Sequence, residues 1–245
     1  MARPRATPGP DSRARLMTAA TADFAAHGYA GASVDRIARK ARLNKAMIYY
    51  HFGSKDGLYR EIIREAMGAI AGRIERALDT ASTPEAQLAA FVGAFAEEAM
   101  QRPDLPRLVM REMAEHGRHM DADTGRAWLA VPAMFVRIFD GGVALGRFRP
   151  VNPLVAYVSV IGPIVLLLAS APARRRIARV ARQPMADIDP RDLRGQVQQL
   201  ALGLLRPSGA STPARTHGER HESRQSPPRV RRQPARGIEP RRRLP

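Results

Sequence analysis

Apolar side chains recur at three- and four-residue steps through most of the chain, and no stretch alternates apolar with polar residues. Leu16, Ala19, Ala20, Phe24 and Ala25 share one helical face, as do Leu58, Ile62, Ile63, Met67, Ile70, Ile74, Ala77 and Leu78. A helix stacks residues three and four apart on one side, whereas a strand alternates sides, so this period predicts an all-α fold. Beyond residue 80 the expected helices are Pro84 to Arg102, Pro106 to Met120, Ala127 to Gly142, Pro153 to Ser170 with a kink at Pro163, and Arg191 to Arg206.

The punctuation of the first 65 residues is more specific. Gly28, in "HGYAGAS", suits a left-handed stop for the first helix, which starts at Ser12 or Arg13. Ser33 is a good N-cap for a short helix over 33–40 with Val34, Ile37 and Ala38 turned inward. A tight connection at Ala41 to Leu43 follows, Asn44 caps a second short helix through Tyr50, and Gly53-Ser54 separates it from a long helix beginning near Lys55. Two short helices joined by a three-residue turn form a helix-turn-helix, whose second helix fits the DNA major groove.

The second helix divides by face. Ile48 and Phe52 are expected to turn inward with Leu43, leaving Lys45, Ala46 and Tyr50 toward the groove. Tyr49 and Tyr50 can hydrogen-bond phosphates through their hydroxyls and press their rings against thymine methyls and sugars. His51 and Lys55 are placed near the exit to hold phosphate, and Ser33 offers a further phosphate contact. The charge agrees: the chain is +17, yet its only lysines, Lys40, Lys45 and Lys55, fall within this short region. Such a field attracts polyanions.

"VDRIARKARLNKAMIYYHFGSKDGLYREII" (34–63), with the preceding "AAHGYAGASVDRIA", resembles the DNA-binding domain of TetR-family transcriptional regulators, including Tyr-x-His-Phe-x-x-Lys at Tyr49, His51, Phe52 and Lys55. The resemblance covers roughly residues 12–65. It implies a homodimeric regulator, commonly a repressor, whose N-terminal domain binds a near-palindromic double-stranded DNA operator and whose C-terminal domain binds a small-molecule effector. By the same resemblance Lys45, Ala46, Met47 and Tyr50 face bases, while Ser33, Tyr49, His51 and Lys55 contact phosphate. Arg42 departs from the pattern, because the family commonly has a small residue, often glycine, at that turn. An arginine there adopts the needed backbone at some cost and can add a phosphate contact, so Arg42 and the cap Asn44 join the candidate DNA-binding set.

The expected organisation is a basic arm over 1–10, a helix-turn-helix domain over 11–65, an effector-binding and dimerisation domain over 66–206, and a disordered Arg/Pro-rich tail over 207–245. Met100, Met110, Met113, Trp128 and Phe135 suit an adaptable apolar effector pocket. The uncharged run Leu154 to Ala173 is long enough to span a membrane, but its serines, glycine and prolines favour a buried or subunit-interface helix pair broken near Gly162-Pro163. The stripe Leu193, Val197, Leu200, Ala201 and Leu204 extends that interface.

No catalytic residues, metal site or cofactor are assigned. Glu112, His116 and His119 recur at steps of four and three, a spacing compatible with a metal, but such groups are common on helix surfaces, no cysteine joins them and no nucleophile-base set accompanies them. With no cysteine, thiolate chemistry and disulfides are excluded. The N-terminus lacks an apolar segment of secretory type, so a cytoplasmic protein with no membrane partner is expected. The competing reading is non-specific nucleic-acid binding driven by the basic arm and tail.

Overall fold

A computed structural model describes residues 10–184 and 189–207. The basic arm through residue 9 and the tail beyond 207 lie outside the described residues. Among those described there are nine helices: α1 (Pro10–Gly31), α2 (Val34–Lys40), α3 (Ala46–Phe52), α4 (Lys55–Leu78), α5 (Pro84–Gln101), α6 (Leu105–Ala114), α7 (Ala122–Ala144), α8 (Pro153–Ala181) and α9 (Pro190–Leu205).

Side-chain caps set most of the boundaries. Ser33, Ser54, Thr83, Asp121 and Asn152 each accept a backbone N–H in the first turn of the helix that follows. Pro84, Pro106 and Pro153 sit in first turns, where a missing N–H costs nothing. Gly28 has φ +72° and ψ 176°, so the first helix breaks there as expected, with one more helical turn before Ser33.

Helices α1 and α3 pack on α4, with α2 held against α1 and α3, and α4 continues along α5 and α7. One apolar core therefore runs from Leu16, Phe24, Ile37 and Ile48 through Ile62, Ile70 and Ile74 to Phe91, Phe135 and Phe139. α9 lies along α5, and α6 is held between α1 and α8. Burying this much apolar surface, at roughly 25 cal/mol per Å², is what holds ten-residue α6 helical.

Several boundaries differ from expectation. α6 ends at Ala114 rather than Met120, because His116 (φ +61°) and Gly117 (φ +70°) turn left-handed and the Gly117 N–H returns to the Glu112 carbonyl. Glu112, His116 and His119 thus do not share a helical face. α7 starts at Ala122, directly after its Asp121 cap and five residues before the expected start. α8 is a single helix that passes Gly162-Pro163 and Pro172 and runs on to Ala181, so there is no broken pair. Ile161 and Ile164, buried on either side of Pro163, hold the helix together where the proline removes a hydrogen bond.

α7 and α8 are both long and apolar enough to cross a membrane. α7 buries Val131, Phe135, Ile138 and Phe139, and α8 buries Ala156, Val160, Ile161 and Ile164. The rest of α8 is open, with Leu154, Val155, Val158, Leu166, Ile177 and Val180 exposed. On α9 the expected stripe splits: Leu193 and Ala201 are buried, while Leu200 and Leu204 face outward.

Candidate nucleic-acid interface

The α2–α3 unit is locked onto α1 by one buried carboxylate. Asp23 accepts the Ser33 N–H at 3.0 Å and the Arg36 guanidinium at 2.9 Å, and the same guanidinium donates to the Gly31 carbonyl. Burial pushes the Asp23 pKa up, but the hydrogen bonds from Arg36 and Ser33 and the Arg36 and His27 charges outweigh it, so the carboxyl sits below its ordinary value. Ser33 oxygen meanwhile accepts the Arg36 N–H, fixing the start of α2.

The turn is built as the spacing demands. Arg42 is left-handed, with φ +54°, and its side chain is exposed. Asn44 Oδ1 accepts the Ala46 N–H at 2.9 Å, which caps α3 even though its regular hydrogen-bonded turn starts two residues later. Ile48 is fully buried and anchors α3. Phe52 is only half-buried, its ring lying under the Arg13 guanidinium at 5.7 Å.

What remains outward is a short, aromatic and basic face. Tyr49 and Tyr50 are 53% and 69% exposed, and Arg42, Asn44, Lys45 and Ala46 are exposed beside them. Large aromatic rings held in water on a seven-residue helix have no role in the core. Lys45 stands 3.3 Å from Asp35 on α2, a solvated pair that a stronger anion can displace.

Three sequence-assigned residues are engaged within the protein instead. Met47 is half-buried against the core. His51 Nε2 lies 2.8 Å from Ser12 Oγ, tying α3 to the start of α1. Lys55 donates to the Ala32 carbonyl at 2.8 Å and stacks its ammonium 4.5 Å over the Tyr29 ring. His51 and Lys55 are tied to α1 or its exit through partners that local periodicity cannot reveal.

The candidate effector residues also divide. A cavity of about 500 Å³ opens between α4, α5, α6, α7 and α8, and Met110, Met113 and Trp128 line it. Met100 and Phe135 do not: Phe135 is fully buried in an aromatic stack with Phe91, Phe139 and Tyr157. Sequence reasoning missed the α8 wall, which includes Tyr157, Ile161 and Gly162. Its apolar run was legible, but not which helix it would face.

The same α6 that lines the cavity is bolted to the DNA-binding unit. Arg111 donates to the Ala25 and Ala26 carbonyls, both at 3.2 Å. Glu112, only 1% exposed, accepts the Tyr59 hydroxyl at 2.7 Å, the His119 N–H at 3.2 Å and His119 Nδ1 at 3.0 Å. Burial, then the bond to Glu112, raises the Tyr59 pKa far above the usual tyrosine value. These contacts give Glu112 and His119 structural partners, and among the described residues no group of three metal-ligating side chains occurs.

Residues 16–62 match the model of bacterial regulatory proteins of the tetR family. The chain is 33% identical over 106 residues to the HTH-type transcriptional repressor SCO4008 of Streptomyces coelicolor, a match spanning 43% of this chain and 52% of that relative. It is 28% identical over 152 residues to the HTH-type transcriptional repressor KstR2 of Mycolicibacterium smegmatis, covering 56% and 68%. The match therefore spans about half the length of the first of these. The fold is similar to that of the transcriptional regulator FadR of Bacillus subtilis solved in complex with stearoyl-CoA, with TM-score 0.61 and 16% identity over 78% of this chain and 98% of that one. With the capped turn, the outward aromatic face of α3 and the matching stretch all in one register, residues 16–62 have the helix-turn-helix unit of the tetR family, and the comparisons support a TetR-family regulator.

Proposed function

We propose that this chain is a DNA-binding transcriptional repressor, working in the cytoplasm as a homodimer on a near-palindromic operator and released by a small-molecule effector. The observation that carries the reading is the outward face of α3, where Tyr49 and Tyr50 stand exposed among Arg42, Asn44, Lys45 and Ala46. Lys45, Ala46 and Tyr50 read base edges and thymine methyls, and Tyr49, Arg42 and the Ser33 hydroxyl hold phosphate. Met47, His51 and Lys55 contribute by fixing the frame, with the Lys55 ammonium adding positive potential beside the start of α4.

Residues 11–65 form the DNA-binding domain and 66–206 the effector-binding and dimerisation domain, with α4 shared by both. The exposed apolar positions of α8 and α9, Leu154, Val155, Val158, Leu166, Leu200 and Leu204 among them, supply a self-complementary surface for a two-fold dimer. Two α3 helices one DNA turn apart then match successive major grooves. Ligand in the cavity shifts the dimer population through α6, whose Met110 and Met113 line the cavity while its Arg111 and Glu112 grip α1 and α4. No catalytic role is assigned.

The competing reading is non-specific binding through the basic arm and tail. Deleting 207–245 and comparing a selected palindrome with random duplex separates the two. Retained preference for the palindrome supports the repressor reading, and loss of all preference together with affinity overturns it.

A further inference from the structure

The cavity wall is chemically one-sided. Of its lining residues none is charged, and most are aliphatic or aromatic: Met67, Ile70, Phe95, Val131, Ile161 and Leu166 are representative. An ionised group brought into such a wall loses its hydration with nothing to replace it, so a charged ligand is disfavoured. A volume of about 500 Å³ is that of a drug-sized molecule.

Three lining side chains carry polar atoms. Ser159 is exposed, so water serves its hydroxyl. Trp128 is half-buried and contributes ring surface and an indole N–H from the α7 side. Tyr157 differs: its ring packs edge-on against Phe135 at 5.5 Å, and its hydroxyl has no hydrogen-bond partner among the described residues. Burial alone pushes its pKa up to about 12. A neutral phenol held in an apolar wall by its ring, with an O–H that solvent reaches and no described protein group engages, is a preset donor that a ligand acceptor can take over.

Resting on the effector reading above, we infer that the cavity binds an uncharged, largely apolar molecule bearing one hydrogen-bond acceptor, which the Tyr157 hydroxyl holds. Shape and apolar area supply most of the affinity, and Tyr157 sets orientation and selects a carbonyl or ether oxygen over a bare hydrocarbon. Gly162 keeps the α8 wall open: a Cβ there meets only Val158 Cγ1, at 3.7 Å. A larger side chain at 162 is therefore tolerated by the helix and occupies ligand space.

The test is calorimetric titration of the full chain, without DNA, using three matched probes: benzophenone, diphenylmethane, which lacks the carbonyl, and 4-benzoylbenzoate, which adds an anion. Benzophenone should bind about fivefold more tightly than diphenylmethane, the size of one net hydrogen bond. The benzoate should bind at least about tenfold more weakly than benzophenone. Tyr157→Phe should reduce benzophenone to the diphenylmethane level, while Trp128→Phe keeps the ratio. Gly162→Leu should abolish binding of both neutral probes with its helical circular dichroism unchanged.

Five results overturn the proposal: benzoate binding as tightly as benzophenone, a ratio that survives Tyr157→Phe, a ratio lost in Trp128→Phe instead, neutral probes that do not bind the native protein, or neutral probes that still bind Gly162→Leu. The repressor reading fails separately. Protein that binds benzophenone but no palindrome sinks only that reading, and protein that binds a palindrome but no neutral probe sinks only the ligand class.

Discussion

Removing the Glu112 carboxylate should cost this protein a large part of its stability, because three donors converge on it where water does not reach. Glu112→Ala strands the Tyr59 hydroxyl, the His119 N–H and His119 Nδ1, with Glu115 Oε2, 3.6 Å from Nδ1, the nearest substitute. At about 1–3 kcal/mol for each buried donor left unpaired, and with one partly rescued, the expected loss is about 3–6 kcal/mol. That is a sizeable share of the roughly 5–15 kcal/mol holding a typical domain folded. Tyr59→Phe deletes one donor to a charged acceptor and leaves Glu112 its two His119 partners, for about 1.5–3 kcal/mol. The double variant should cost less than the sum, because once Tyr59→Phe has removed the hydroxyl there is no phenol left to strand, giving a coupling of about 1.5–3 kcal/mol. Urea unfolding followed by circular dichroism at one fixed protein concentration measures all four corners of the cycle. Additivity within about 0.5 kcal/mol, or a Glu112→Ala cost below about 1 kcal/mol, would refute the convergent arrangement.

Arg42→Gly relieves a left-handed residue with an exposed side chain, so stability should rise by about 0.5–1 kcal/mol and Tm by about 1–4 °C, while phosphate affinity falls; an unchanged or lower Tm counts against the backbone strain. Tyr49→Phe should weaken binding to all duplexes alike, whereas Lys45→Ala and Tyr50→Ala should change base preference at one or two positions, by about 1–3 kcal/mol each in competition assays; identical behaviour of the two classes contradicts the division of α3. Asp23 and Glu98 are held below their ordinary values because hydrogen bonds and charges from arginines outweigh burial, and Asp121 chiefly because it accepts the Thr124 N–H and hydroxyl. Their contribution is present above the unfolded carboxyl range and is lost as pH falls through the depressed folded values, so the urea midpoint should drop below about pH 4. Tyr29 and Tyr157 are raised to about 12, by burial first and, for Tyr29, also by Asp56, so their contribution holds below the ordinary tyrosine value of 10.0 and is lost as pH rises toward 12. A midpoint flat from pH 9 to 12 would contradict this.

The DNA-binding unit was legible because its signals are local. Ser33 and Asn44 cap, Gly28 and Arg42 take positive φ, and Ile48 anchors, each within a few residues of the feature it controls. The other parts depend on partners far along the chain. His51 meets Ser12 across 39 residues and Glu112 meets Tyr59 across 53, and neither pairing leaves a mark in periodicity. Met100 and Phe135 fit the composition of a pocket but lie off it, because a helical period fixes a helix face and not which helix that face meets. Some misses had a readable signal: Gly117 after His116 marks the end of α6, and Asp121 three residues before Thr124 marks the start of α7. Pro163 carried a break signal that packing on both sides of it overrides.

Whether α3 reads DNA sequence is decided most directly by selecting duplexes from a random pool with the chain truncated after residue 206, at physiological salt. The expected product is a near-palindrome whose half-sites lie about 10 bp apart or a multiple of it, with the base preference at one or two half-site positions altered when Tyr50→Ala is used in place of the native protein. A pool that stays random, or a consensus indifferent to Tyr50, would contradict sequence recognition by this helix.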